Sequence, residues 1–209
     1  MEKLRKTQEV LHIYPVSISI RPFQPSVDTK KAFDCGKADL NDFLSENGES
    51  TPNASLYEEE HLAKTYIVED NESHAILAYF SLLFDKIERS IADPSIWNKL
   101  SRLIPNTKRR SSYPALKIGR LAVSKQSQHT GLGKEIIDLI KGWFFSDAKA
   151  GCRYLTVDAY LEAEAFYSKC EFRPLVTPEP EDETVLMFFD LKGITRHGNS
   201  FRFVRPPRH

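Results

Sequence analysis

At 209 residues, with 41% hydrophobic and 28% charged positions, the chain has the make-up of ordinary globular material and the length for one substantial core or two small ones. Its 29 basic and 29 acidic residues cancel, so the global charge points to neither nucleic acid nor an anionic membrane surface, and any such role has to come from a local patch. Three widely spaced cysteines (Cys35, Cys152, Cys170) without a C-x-x-C pair argue against a disulfide framework and a zinc site, and no apolar run reaches the length of a signal h-region or a membrane span. A reducing cytoplasm is the expected setting, with no metal and no membrane.

Residues 1–14 place Leu4, Val10 and Leu11 at the spacing of a short amphipathic helix, and residues 1–15 are read as an extension. Residues 16–20 alternate apolar and polar and stop before Pro22, the pattern of a half-buried strand. Residues 34–46 read as a loop and then a helix carrying Ala38, Leu40, Phe43 and Leu44, and residues 47–55 as a loop. Glu58, Glu59 and Glu60 form a charge run, read as a solvated helix face. Residues 65–68 and 75–80 are β-rich and separated by a polar turn, which makes a hairpin.

Asp93 and Pro94 open a further helix bearing Ile96, Trp97, Leu100, Leu103 and Ile104, followed by a basic loop with Lys108, Arg109 and Arg110. An apolar strand then ends at Val123. The helix after Gly133 shows Ile136, Ile137, Ile140, Trp143 and Phe144 on one face, with Glu135, Asp138 and Lys141 assigned elsewhere and Gly151 as its stop. Residues 153–158 form the next strand, parallel to the one before the helix because a helical crossover joins them. A helix over 161–169 and a strand over 184–189 complete the domain, 16–191, and the tail 192–209 carries no acid. The order describes a mixed α/β (α+β) sheet flanked by helices.

The stretch 116–133 carries the chemistry. A strand ends at Val123, a short polar segment follows, and Gly131 and Gly133 flank Leu132 where the helix begins. Small residues at a helix N-terminus leave backbone amides facing outward, which makes an anion cradle. It is neither a Walker loop nor G-x-G-x-x-G, since no Gly-Lys-Ser/Thr ends it and the second glycine is the last.

What Gln128, His129, Thr130, Gly131, Leu132 and Gly133 do match is Q/R-x-x-G-x-G/A, and the chain thereby resembles the GNAT superfamily of acetyl-CoA-dependent N-acetyltransferases. The strand 119–123 is similar to the family's central strand, and residues 165–172 to its A-x-F-Y-x-K-x-G-F segment, in family order. The resemblance implies a GNAT-like sheet that splays after the central strand, with amides of Leu121, Ala122 and Val123 along the pantetheine. It further implies that the loop 128–133, with Lys134 behind it, holds the pyrophosphate, and that Tyr167 serves the leaving thiolate.

Amine attack on a thioester builds charge on the carbonyl oxygen and expels a thiolate, so oriented donors and a proton source are what such a site needs. For Tyr167 the plainer alternative is a packed helix tyrosine. The general base is unassigned: His61 and His74 read as surface residues, and His129 as lying beside phosphate. Cys152 and Cys170 read as structural thiols, since direct transfer needs no acyl-enzyme. Relatives carry asparagine where Tyr160 stands and glycine where Glu171 stands, so the helix start and the turn after Cys170 are expected to be built differently.

Residues 33–44, with 119–123, resemble a subgroup that includes acetyltransferase toxins of toxin-antitoxin modules, which acetylate the amino group of aminoacyl-tRNA. The expected activity is acetyl transfer from acetyl-CoA, a co-substrate, to a primary amine. The alternatives are such a toxin, for which Lys108, Arg109, Arg110, Arg196, Arg202, Arg205 and Arg208 would contact phosphates, and a non-catalytic acyl-CoA-binding module. Partners left open are the amine acceptor, tRNA, an antitoxin and a second copy of the chain.

Overall fold

The computed structural model describes residues 9–13, 16–45, 53–102, 104, 110–146, 151–197 and 200–203. They form two compact units, one from the chain up to Leu83 with Gly119–Gly133, the other from Phe84–Ile118 with Lys134 onward.

In the first unit, β1 (Glu9–Ile13), β2 (Val16–Pro22), β3 (Lys64–Asp70) and β4 (Ile76–Glu88) are successive antiparallel neighbours, followed by residues 119–123 of β5 (Ser112–Val123). The register slips between Val68 and Glu69, and there the alternation of β3 breaks, leaving Ile67, Val68 and Glu69 buried in succession. Three short helices complete the unit: α1 (Pro25–Asp28), α2 (Ala38–Leu44) and α3 (Ala54–Glu59). Phe43 of α2 stacks on Tyr79 with ring centroids 6.0 Å apart, Phe33 meets the same ring edge-on at 5.3 Å, and the Tyr79 hydroxyl donates to the Leu40 carbonyl at 2.6 Å. A buried phenol thus finds its acceptor in the helix it supports.

The second unit holds residues 84–88 of β4, then residues 112–118 of β5, β6 (Tyr154–Tyr160), β8 (Thr184–Asp190) and β7 (Arg173–Pro174) in that order. β5 and β6 run parallel from Ala115↔Tyr154 to Ile118↔Val157, and the β8 pairs are antiparallel. The parallel pair is the one that the helical crossover demanded. Its helices are α4 (Pro94–Arg102), most of α5 (Leu132–Ser146) and α6 (Glu164–Lys169), and β9 (Ile194–His197) and β10 (Ser200–Phe203) form a separate hairpin. Trp97 stacks on Tyr113 at 5.0 Å within an apolar cluster that includes Tyr154 and Phe188. Ile136, Ile137 and Ile140 of α5 are sealed from solvent. A mixed sheet flanked by helices is therefore what the chain builds. Among the described residues no helix is long and apolar enough to cross a membrane.

Several boundaries differ from the sequence reading. Residues 9–13 are a strand, not part of a helix: five residues cannot nucleate a stable helix, whereas β2 offers a ladder. Helix α3 begins inside the expected loop because the Asn53 side chain caps the Leu56 amide at 3.1 Å. Glu58 is not a solvated residue of that charge run; its carboxylate receives the Lys64 ammonium at 2.6 Å and the Thr65 amide at 2.7 Å. Lys141, assigned off the apolar face of α5, is 5% exposed. The expected helix over 161–169 is a 3-10 turn (Leu161–Ala163) followed by α6.

Candidate active site

The anion loop grows directly out of β5. Ser124 is buried, its amide donating to Leu77 O at 2.8 Å and its carbonyl receiving the amides of Ser127 and Gln128 across a 3-10 turn, Lys125–Ser127. Gln128 turns its side chain inward, donating to Cys35 O at 2.8 Å and Val123 O at 3.0 Å, so its amide group shapes the loop from within. Thr130 Oγ1 donates to Ser127 O at 2.8 Å. His129 and Gly131 adopt left-handed backbone, φ 62° and 96°, which glycine takes without a Cβ penalty and histidine does not. A Cβ built on Gly131 would meet nothing within 4 Å, so the glycine leaves open space in front of the loop, and a side chain there would fill it.

Leu132 starts α5, whose first-turn amides have no carbonyl of their own helix to bond and carry the positive end of its dipole. Residues 124–134 contain no acid. Open space, helix-end amides of which, among the described residues, only that of Leu132 is engaged, by Thr130 Oγ1 at 3.4 Å, and the absence of negative charge fit a pyrophosphate.

The loop is braced by the segment before α2. Lys125 donates its amide to Asp34 O at 2.9 Å and its ammonium to Asp34 Oδ2 at 2.7 Å. Asp34 also receives the Gly36 amide and Asn41 Nδ2. The Lys125 hydrogen bond, then those from Gly36 and Asn41, hold this carboxyl below the usual carboxylate range. Residues 33–41, singled out for a different reason, thus set the shape of the anion loop. Leu121 and Val123 are half-buried and Ala122 is buried, and β5 runs on through them beyond its parallel pairing with β6 at Ile118. Lys134 is exposed and its ammonium pairs with Asp138, one turn along α5.

Tyr167 lies on α6, 6% exposed. Phe166 and Phe172 meet its ring edge-on at centroid distances of 5.0 and 5.6 Å, the framing that the A-x-F-Y segment suggested. Among the described residues its hydroxyl has no hydrogen-bond partner. Burial, with a smaller contribution from Cys170, pushes its pKa well above the ordinary phenol value, so it stays protonated at neutral pH. A protonated hydroxyl on a buried, fixed ring, unpartnered among the described residues, has a proton to give to an acceptor brought to it.

After Tyr167 the chain turns as a Schellman motif: Cys170 N bonds Phe166 O, Phe172 N bonds Tyr167 O at 3.0 Å, and Glu171 has φ 67°. Glu171 therefore adopts the left-handed backbone that glycine adopts most easily. Tyr160 ends β6, and a 3-10 turn, Leu161–Ala163, follows it before α6.

The three cysteines are free thiols, Cys35 and Cys170 buried and Cys152 partly so. Burial raises all three pKa values, that of Cys170 to about 11, which suits structure and not nucleophilic attack. His61, His74 and His129 are exposed, each at positive φ, and His74 Nδ1 lies 2.9 Å from Glu69. Lys108, Arg109, Arg205 and Arg208 lie outside the described residues.

The model of the acetyltransferase (GNAT) domain matches residues 103–188, a stretch containing the central strand, the anion loop and Tyr167. The matched stretch is that of a GNAT acetyltransferase domain. Solved structures extend the likeness over 84% of the chain. A tyrosine-to-phenylalanine mutant of KacT superposes with TM-score 0.67, at 24% identity and over 95% of its own length, a likeness of fold. AtaT complexed with acetyl-methionyl-tRNAfMet gives 0.64 at 27% identity over 95% of that chain, and AtaTR bound with AcCoA gives 0.61 at 26% over 94%. A GNAT domain is an acyltransferase with acetyl-CoA as co-substrate.

Proposed function

We propose that the chain acetylates the amino group of an aminoacyl-tRNA in the cytoplasm, by direct attack on acetyl-CoA in a ternary complex, and works as a toxin held in check by an antitoxin. The observation that carries this reading is the likeness to AtaT complexed with acetyl-methionyl-tRNAfMet, 27% identical and matched over 84% of this chain. The basic residues before β5 and in the acid-free tail give a phosphate backbone something to meet.

In the reaction the amine nitrogen bonds the acetyl carbon, the C–S bond breaks, the thiolate takes the Tyr167 proton, and the proton released by the amine returns through water to the Tyr167 phenolate. The amides at Gly131, Gly133 and Lys134, at the positive end of α5, hold the pyrophosphate. Amides of residues 121–123 line the pantetheine and polarise the carbonyl. The Tyr167 hydroxyl, protonated and without a hydrogen-bond partner among the described residues, favours catalysis over a binding-only module, because its proton is free for the leaving thiolate.

The test is an acceptor screen reading free coenzyme A, run with charged tRNA, free amino acids, peptides and small amines. Charged tRNA is expected to be consumed and growth to stop on expression without an antitoxin. Turnover of a small amine with charged tRNA untouched would refute the acceptor. Tyr167→Phe keeps the ring and deletes the donor, so turnover should fall at least about a hundredfold with acetyl-CoA affinity nearly unchanged, because general acid catalysis is worth about 10² to 10⁴.

A further inference from the structure

Lys141 is the one buried lysine among the described residues, its side chain 7% exposed in the middle of α5. A buried ammonium costs several kcal/mol unless its surroundings repay it, and a leucine or methionine would pack there without that cost. Its surroundings are specific. Nζ donates to Cys170 O at 2.7 Å, stands 4.2 Å from the centroid of the Phe189 ring and 5.8 Å from that of Phe172, and has Asp138 Oδ1 at 3.6 Å.

Each partner leads to the same place. Cys170 is the cap of α6, its amide bonded to Phe166 O, and the turn it begins closes with Phe172 N on the carbonyl of Tyr167 itself. Phe172 in turn packs edge-on against the Tyr167 ring and tilted against Phe189 at 5.7 Å. The Tyr167 hydroxyl has no hydrogen bond of its own among the described residues, so its direction is set only by how the ring is held. Cation–π attraction to two rings and a charge-assisted bond to the turn carbonyl hold that frame from one point.

We propose that Lys141 is a positioning residue for Tyr167: its ammonium clamps the turn after α6 and the Phe172 ring, and thereby aims the phenol that gives its proton to the departing thiolate. This rests on the reading of Tyr167 as general acid, and the test separates the two. Lys141→Met replaces the ammonium with an apolar chain of similar length. Turnover and KM for acetyl-CoA are measured for Lys141→Met, Tyr167→Phe and the double variant, with thermal melting to confirm that each folds.

The expected result is a fall in kcat of tenfold or more for Lys141→Met, with KM for acetyl-CoA changed less than about twofold, and no further loss when Tyr167→Phe is already present. A merely structural lysine would lower activity by the same factor in both backgrounds, and that additivity would overturn the inference while leaving Tyr167 as the acid. A Tyr167→Phe enzyme that keeps more than about a tenth of its turnover overturns both readings. Should Lys141→Met fail to fold, Lys141→Gln, which keeps an uncharged donor, goes through the same cycle with the same two outcomes.

Discussion

The charge cluster around Glu69 makes the most quantitative prediction. Glu69 sits at the register slip in β3, its side chain 11% exposed, and receives Lys31 Nζ at 2.9 Å, both Nε and Nη2 of Arg21, and His74 Nδ1 at 2.9 Å. Burial alone would raise its pKa, but the hydrogen bonds from Lys31, Arg21 and His74 together outweigh burial and bring it from 4.5 to about 2. That change corresponds to about 3 kcal/mol. The folded value is the lower one, so this stability is fully present above pH 4.5 and is lost as pH falls from 4.5 toward 2.

Glu69→Gln keeps the shape and removes the titration. Urea melts of both proteins between pH 7 and pH 3 then isolate the residue, because Asp34 and Asp70, whose pKa values are also lowered, are common to both. The stability gap between them should shrink by about 2 kcal/mol over that range, most of it below pH 4.5. A gap that stays constant from pH 7 to pH 3 would show that Glu69 titrates normally and that the cluster is a surface contact.

Two further substitutions probe the loop and the turn. Gly131→Glu puts a side chain and a negative charge into the open space before α5, and should weaken acetyl-CoA binding at least about tenfold by calorimetry, since one lost charge-assisted hydrogen bond costs about 1.5 to 3 kcal/mol; an unchanged affinity in a folded variant would place the pyrophosphate elsewhere. Glu171→Gly relieves left-handed strain of about 1 kcal/mol and should raise the melting temperature by about 2 to 4 °C, whereas a lower one would mean that the Glu171 side chain holds the turn.

The elements legible in the sequence are those whose signal is local. The hairpin of β3 and β4, the helix opened by Asp93 and Pro94, and the strand–loop–helix around Val123 and Gly131 each carry their own punctuation and period, and each stands where the pattern put it. β1 carries no such signal, because its five residues become a strand only through the ladder that β2 offers. Nor does Glu58, whose carboxylate is committed to Lys64 and Thr65 beyond the end of its own helix. A charge run reads as solvated until a partner from outside the helix reaches it.

The site divides in the same way. Gly131 and Tyr167 are legible because a left-handed loop before a helix needs a residue without a Cβ, and because Phe166 and Phe172 flank the phenol in sequence as they do in space. Lys141 is not, because a helical wheel measures polarity and sends a lysine to water by default. What keeps it inside is a set of partners that no window of α5 contains: a carbonyl at Cys170, 29 residues away, and the rings of Phe172 and Phe189. A buried cation that survives beside such an apolar face has to be held by acceptors and rings together, since either alone leaves most of the desolvation cost unmet. Those acceptors and rings belong to the frame around Tyr167, so the residue that the period misassigned is the one that ties the crossover helix to that frame.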